Sequence, residues 1–161
     1  MIRPTTPDDS TALIALAVAA LMFAANETEA LGKVLADYFS GNLGDNHMWI
    51  TDEEEGKPCG VAYYAPDPMA DRTWYLYMIA VHPNCQRQGR GRALIEHVEN
   101  ALRASGERLL LVETSGLAKY DRARAFYIKC GFEQEARIRD YWAAGDDKVV
   151  FRKALNANYS I

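Results

Sequence analysis

The chain has 161 residues and a formal charge of -4, with 49% hydrophobic and 25% charged residues. That length suits one globular domain, expected over residues 1–161, able to bury about two-thirds of its unfolded surface. The balance argues against a disordered chain and against a generally basic nucleic-acid binder. Cys59, Cys85 and Cys130 show no framework spacing and read as free thiols of a reducing compartment. His47, His82 and His97 are scattered, so no metal site is expected.

In chain order, residues 1–4 read as a first strand, followed by capping chemistry in Pro7-Asp8-Asp9-Ser10. The apolar run 12–25 is shorter than the ~20 residues a membrane span needs. Asp8 and Asp9 replace the basic flank of a signal sequence. Ile14, Val18, Leu21 and Met22 share a helical face, so the run is taken as a core helix. A second helix restarts at Asn26, with Ala30, Val34, Leu35, Tyr38 and Phe39 as its periodic residues.

After a loop over 40–46, residues 47–51 and 59–64 read as two strands joined by a hairpin turn over 52–57. Its acidic run is read as a solvated turn rather than as a lure for a cationic substrate. Residues 65–71 form a loop into a central strand, 74–81, rich in aromatic and β-branched residues. A helix follows over 93–102, with Leu94, Val98, Ala101 and Leu102 inward and Glu96, Glu99 and Arg103 outward. Ser105-Gly106 ends it. Residues 108–114 form an apolar strand expected to be buried on both faces. Residues 121–130 form a helix with Ala123, Phe126, Tyr127 and Cys130 inward and Gly131 at its end. Strands over 136–142 and 149–151, with a turn at 145–147, complete the chain, and the tail after Leu155 is expected to be loose.

The most informative stretch joins the central strand to the helix after it. His82-Pro83-Asn84 ends the strand, and Gln86-Arg87-Gln88-Gly89-Arg90-Gly91-Arg92 leads straight into the helix. The first N–H groups of a helix lack intrahelical partners and carry partial positive charge. Gly89 and Gly91 lack a Cβ, so a phosphate can approach the backbone. Arg87, Arg90 and Arg92 sit in a window without an acidic residue, although the whole chain is acidic. This favours a multiply anionic ligand over general polyanion affinity. The Gly-Lys-Ser/Thr ending of a P-loop is missing, and Leu94 occupies the third glycine of a dinucleotide fingerprint.

The order Ile79-Ala80-Val81-His82-Pro83, Gln86-x-x-Gly89-x-Gly91, then Phe126-Tyr127-x-x-x-Gly131-Phe132 resembles the GNAT superfamily of acetyl-CoA-dependent N-acetyltransferases. Within it, motif A is similar to that of the ribosomal-protein alanine N-acetyltransferases. The resemblance implies an α/β fold. A mixed, mostly antiparallel sheet of about seven strands is flanked by about four helices, with a splay between the fourth and fifth strands. It also implies that acetyl-CoA is the co-substrate. Its pantetheine arm would pair with the backbone of Ile79, Ala80 and Val81, while Arg87, Gln88, Gly89, Arg90, Gly91 and Arg92 meet its phosphates. A backbone N–H near Ile79 would polarise the thioester carbonyl.

Acetyl transfer also needs a neutral amine and a proton for the departing thiolate. Tyr127 matches the tyrosine that many members place near the sulfur. Glu113, the carboxylate ending its apolar strand, matches a glutamate that could serve as base, with an ordered water as the other option. Asp140, Tyr141 and Tyr77 are further candidates for the acceptor pocket. Those relatives carry an asparagine seven residues before the tyrosine, and here that place is Tyr120. Lys119, Arg122 and Arg124 form a second basic cluster, so Tyr120 and Arg124 join the candidate cofactor contacts.

The reading is a cytoplasmic enzyme moving acetyl to a primary amine of a small molecule or peptide. Neither nucleic acid nor membrane is expected as a partner, and a homodimer is compatible with it. The acceptor is not encoded in these motifs. A rival from another class is a non-catalytic acyl-CoA-binding sensor on the same scaffold. It would retain Gly89 and Gly91 but need neither Tyr127 nor Glu113.

Overall fold

The computed structural model describes residues 1–20 and 27–156. They form seven strands and four α-helices, in two compact units.

The first unit comprises Met1–Ala65 and Met78–Val98. It holds β1 (Ile2–Pro4), α1 (Ser10–Ala19), α2 (Thr28–Phe39), β2 (Met48–Glu54) and β3 (Lys57–Pro66). It also holds the end of β4 (Thr73–Val81) and the start of α3 (Arg90–Ala104). Strand order here is β1-β2-β3-β4. Pairing is antiparallel from β1 to β3, with Arg3 opposite Thr51 and Ile50 opposite Ala62.

Asp9 secures the entry to α1 by accepting from the Thr6 N–H at 2.8 Å and from Arg3 Nη1 at 2.8 Å. The buried face of α1 is Leu13, Leu16 and Ala17, with Ile14 at its margin. This corrects the face expected through Ile14 and Val18; Leu21 and Met22 lie outside the described residues. On α2 the buried positions are Leu31 and Leu35, and Ala30 is exposed. Both helices cover Trp49, Val61, Met78 and Ala80. Strand alternation thus buries Met78 and Ala80, leaving Ile79 and Val81 half-buried.

The acidic run does not form a solvated turn. Asp52, Glu53 and Glu54 belong to β2, which bulges between Asp52 and Glu53, and the turn is only Glu55-Gly56. Asp52 is 4% exposed. A carboxylate this buried requires cationic partners, and it has them in Arg90 and the Met1 amine.

The second unit comprises Pro66–Tyr77 and Glu99–Ile161, with its last five residues outside the described part. It holds the start of β4, the end of α3, β5 (Leu109–Ser115), α4 (Asp121–Lys129), β6 (Glu133–Ala143) and β7 (Asp146–Ala154). Strand order is β4-β5-β7-β6. The parallel pairing of β4 with β5 runs from Thr73 opposite Leu109 to Tyr75 opposite Leu111, and the ladder stops there. This is the divergence expected between the fourth and fifth strands.

β5 alternates rather than being buried throughout: Leu110 and Val112 are inside, while Leu111 and Glu113 are half-buried. Glu99, expected to face solvent, is 3% exposed. It pairs with Lys153 and with Arg103, the latter at 3.5 Å. α4 ends at Gly131, whose φ of 90° is the left-handed conformation glycine accommodates. The Phe132 N–H returns to the Tyr127 carbonyl at 3.1 Å, completing that end. Asp146 and Asp147 belong to β7 and not to the turn, which centres on Gly145. No described helix is long and apolar enough to cross a membrane.

Candidate functional site

In the first unit the glycine loop hangs between β4 and α3 and is braced by its own side chains. The His82 N–H donates to the Cys59 carbonyl at 2.8 Å, tying the strand end to β3. Pro83–Cys85 makes a short 3-10 turn, capped where the Asn84 N–H meets His82 Nδ1 at 3.2 Å. Gln86 Nε2 donates to the Val81 carbonyl at 3.1 Å. Arg87 and Gly89 then take left-handed backbone, with φ of 60° and 75°. Space beside the Gly89 Cα is open.

The Ala93 N–H closes the first helical bond to the Gly89 carbonyl at 2.9 Å. The amides of Arg90, Gly91 and Arg92 precede it, so the first turn presents its donors outward. The donor set suits a diphosphate: amide groups at a helix start, open space at glycine and exposed arginine nearby.

The three arginines are not equivalent. Arg90 is held by Asp52 at 2.8 Å and Glu54 at 2.8 Å. The hydrogen bond to Asp52, helped by the charges of Asp52 and Glu54, raises its guanidinium above the ordinary value, against the effect of burial. Arg92 pairs with Glu96 at 3.0 Å, one helical turn on. Arg87 is exposed and makes no ion pair among the described residues. A window without acids along the chain is therefore supplied with acids through space.

In the second unit Glu113 does not stand alone. Lys148 Nζ lies 2.9 Å from its Oε1, and the ammonium sits 4.2 Å from the Tyr141 ring centroid. Burial acts to lower the Lys148 pKa, but the hydrogen bond and charge of Glu113, together with Tyr141, outweigh it and the ammonium is held above its ordinary value. Sequence reasoning missed Lys148. It directly follows two aspartates read as a turn, and only the β5–β7 pairing brings it to Glu113.

Tyr75 and Tyr77 stack with centroids 5.5 Å apart. Both phenols are raised, first by burial and then by the carboxylates of Glu113 and Asp67. Asp140 has φ of 55° and accepts the Gly145 N–H at 2.8 Å, so its carboxylate shapes the β6–β7 turn. Tyr141 is exposed, and Trp142 Nε1 donates to the Thr114 carbonyl at 3.3 Å.

Tyr127 is buried on α4 among Phe126, Phe132 and Phe151, the last at 5.4 Å between centroids. Burial, aided by Cys130, pushes its phenol up to about 12. Arg124 donates to the carbonyls of Ser115 at 2.5 Å and Leu117 at 3.0 Å and pairs with Asp121. Its donors brace the loop between β5 and α4. Tyr120 precedes α4 at the end of a 3-10 turn, beneath the Lys119 ammonium.

The model of the acetyltransferase (GNAT) family matches residues 15–132. Over 110 residues the chain is 32% identical to the ribosomal protein bS18-alanine N-acetyltransferase of Escherichia coli K12, covering 68% of this chain and 71% of that one. A Desulfovibrio desulfuricans structure assigned to the GNAT family matches at 31% identity with a TM-score of 0.91, over 97% of this chain and 99% of that one. The crystal structure of the ribosomal-protein-S18-alanine N-acetyltransferase from Escherichia coli matches at 25% identity with a TM-score of 0.77, over 100% and 97% of the two chains. On the family model and the curated relative together, the chain belongs to the acetyltransferase (GNAT) family and is an acyltransferase.

Proposed function

We propose that the protein transfers the acetyl group of acetyl-CoA to a primary amine, with the N-terminal amine of an alanine-initiated peptide or protein as the acceptor class. The observation carrying this reading is the 32% identity to the bS18-alanine enzyme over 110 residues, and the family model at residues 15–132 spans the glycine loop, β5 and α4. Bound acetyl-CoA supplies an acyl thioester, and its diphosphate suits the helix-start amides of Arg90, Gly91 and Arg92 and the exposed Arg87. Gln88 and Gly89 shape that approach, and the backbone of Ile79, Ala80 and Val81 offers strand-like pairing to the pantetheine amides.

Glu113 takes the proton from the amine as it attacks. The Tyr127 hydroxyl, protonated because its phenol is pushed up to about 12, donates to the departing thiolate. Backbone N–H near Ile79 stabilises charge on the carbonyl oxygen. Transfer is direct, so no acetylated side chain of the protein is part of the cycle.

Two measurements test this. Acetyl-CoA at 100 times its Kd should stabilise the fold by about 2.7 kcal/mol, raising Tm by roughly 5–10 °C, whereas ATP and NAD do far less. Short peptides beginning with alanine, offered with acetyl-CoA, should release free thiol and gain one N-terminal acetyl group by mass spectrometry. An absent thermal shift with every acyl-CoA would remove the cofactor reading. Acetylation of lysine side chains or aminoglycosides in preference to the alanine amine would overturn the acceptor.

A further inference from the structure

β5 and β7 are antiparallel, with Ser115 opposite Lys148 and Glu113 opposite Val150. Side chains two apart on a strand share a face, so Lys148 meets Glu113 as the diagonal neighbour of that ladder. The contact is specific: Lys148 Nζ reaches Glu113 Oε1 at 2.9 Å, and the other oxygen, Oε2, has no hydrogen bond among the described residues. The Lys148 side chain is 11% exposed, whereas Glu113 keeps 27% of its side chain accessible. The ammonium is thus the inner partner, and one oxygen of the carboxylate is the outer one.

The ammonium is itself confined. The Tyr141 ring lies 4.2 Å from Nζ and the Trp142 ring 6.0 Å. Trp142 is in turn anchored to β5 through the Thr114 carbonyl. An isolated buried ammonium is costly, and aromatic faces together with one carboxylate offset that cost here. Lysine has four rotatable bonds, and confinement among three strands removes most of that freedom. Burial first, and then the charges of Glu113 and Asp67, raise the Tyr75 and Tyr77 phenols, so these rings stand near the same carboxylate.

We propose that Lys148 is a positioning residue for the acetyl transfer, holding one oxygen of Glu113 so that the other is aimed at the attacking amine. This rests on the reading of Glu113 as the proton acceptor. It predicts that Lys148 acts through Glu113 alone and that its charge matters more than its shape.

The test is a double-mutant cycle on the full chain: wild type, Glu113→Gln, Lys148→Met, the double variant, and Lys148→Arg. Turnover is read as thiol release from saturating acetyl-CoA with the alanine-initiated peptide, and acetyl-CoA affinity by calorimetry. Lys148→Met should lower kcat about 10–100-fold, with acetyl-CoA affinity unchanged. Lys148→Arg should restore most of that loss. In the Glu113→Gln background Lys148→Met should change kcat by less than about twofold, because residues acting as a unit are non-additive.

Wild-type turnover by Glu113→Gln would remove the proton-acceptor reading itself, whatever Lys148 does. A slow Glu113→Gln enzyme slowed further by Lys148→Met, by the same factor as in wild type, would overturn the positioning role alone. If Lys148→Met does not fold, Lys148→Gln takes its place in the cycle. If neither folds, Lys148 is a structural residue and the proposal fails.

Discussion

Arg90 Nη1 lies 2.8 Å from Asp52 Oδ2, joining the first residue of α3 to a strand position 38 residues earlier. Glu54 takes the other side of the same guanidinium at 2.8 Å. A basic loop residue is thereby turned into a structural pin, and Asp52 also receives the Met1 amine at 3.1 Å.

Removing one member leaves a buried carboxylate without its main partner. Arg90→Met should therefore cost about 3 kcal/mol, read as a Tm lower by roughly 6–12 °C. Asp52→Asn combined with Arg90→Met should be less damaging than Arg90→Met alone, since the stranded charge is gone. Additive losses in thermal unfolding would show that the two residues do not act as a pair.

The two loop glycines should fail differently. Gly91 lies in the first turn of α3, where a larger side chain is compatible with the backbone. Gly91→Val should keep the fold and abolish acetyl-CoA binding in calorimetry, because the added methyls fill the phosphate's approach. Gly89 has φ of 75°, so Gly89→Ala should cost about 1 kcal/mol or more through backbone strain. Undiminished affinity in a folded Gly91→Val protein would detach this loop from the cofactor.

Tyr127→Phe removes a hydroxyl and leaves the ring among Phe126, Phe132 and Phe151. If the hydroxyl donates to the departing thiolate, kcat should fall roughly 10²–10⁴-fold while acetyl-CoA affinity stays near wild type. Thermal stability should change little, because the aromatic packing is retained. Unaltered turnover would reduce Tyr127 to a packing residue.

Acid should act on the start of α1. Hydrogen bonds from Arg3 hold the Asp9 carboxyl at about 2 rather than 3.8, overcoming burial, and the Thr6 N–H assists. A carboxylate depressed in the folded state stabilises it above the unfolded value and ceases to do so on protonation. The contribution, on the order of 2 kcal/mol, should be complete above pH 3.8 and vanish as pH falls toward 2. Urea unfolding should show wild type well above Asp9→Asn at neutral pH, with the two curves converging across that window. A constant gap down to pH 2 would mean the Arg3–Asp9 pair carries no pH-linked stability.

Boundaries in the chain were legible where local chemistry governs them. Gly131 ends α4 because only a residue without Cβ takes φ of 90° easily, and the Phe126-Tyr127 pair fits the same helix from either direction of reading. Helix faces were legible only to within one position. α1 buries Leu13, Leu16 and Ala17, but the run is apolar all round, so periodicity could not choose among neighbouring stripes. Glu99 misled for a different reason. A carboxylate in a helical repeat reads as solvent-facing until Lys153, distant along the chain, is brought to it.

The sequence by itself determined the family and the strand–glycine loop–helix order, because strand end, glycine spacing and helix start are consecutive and their backbone physics is local. Tertiary structure decided how the charges are used. Arg90 turns to Asp52, Arg124 to the carbonyls of Ser115 and Leu117, and Lys148 to Glu113. Each of those partners is chosen by strand register or loop path, and Coulomb attraction depends on distance through space, which a linear spacing does not contain.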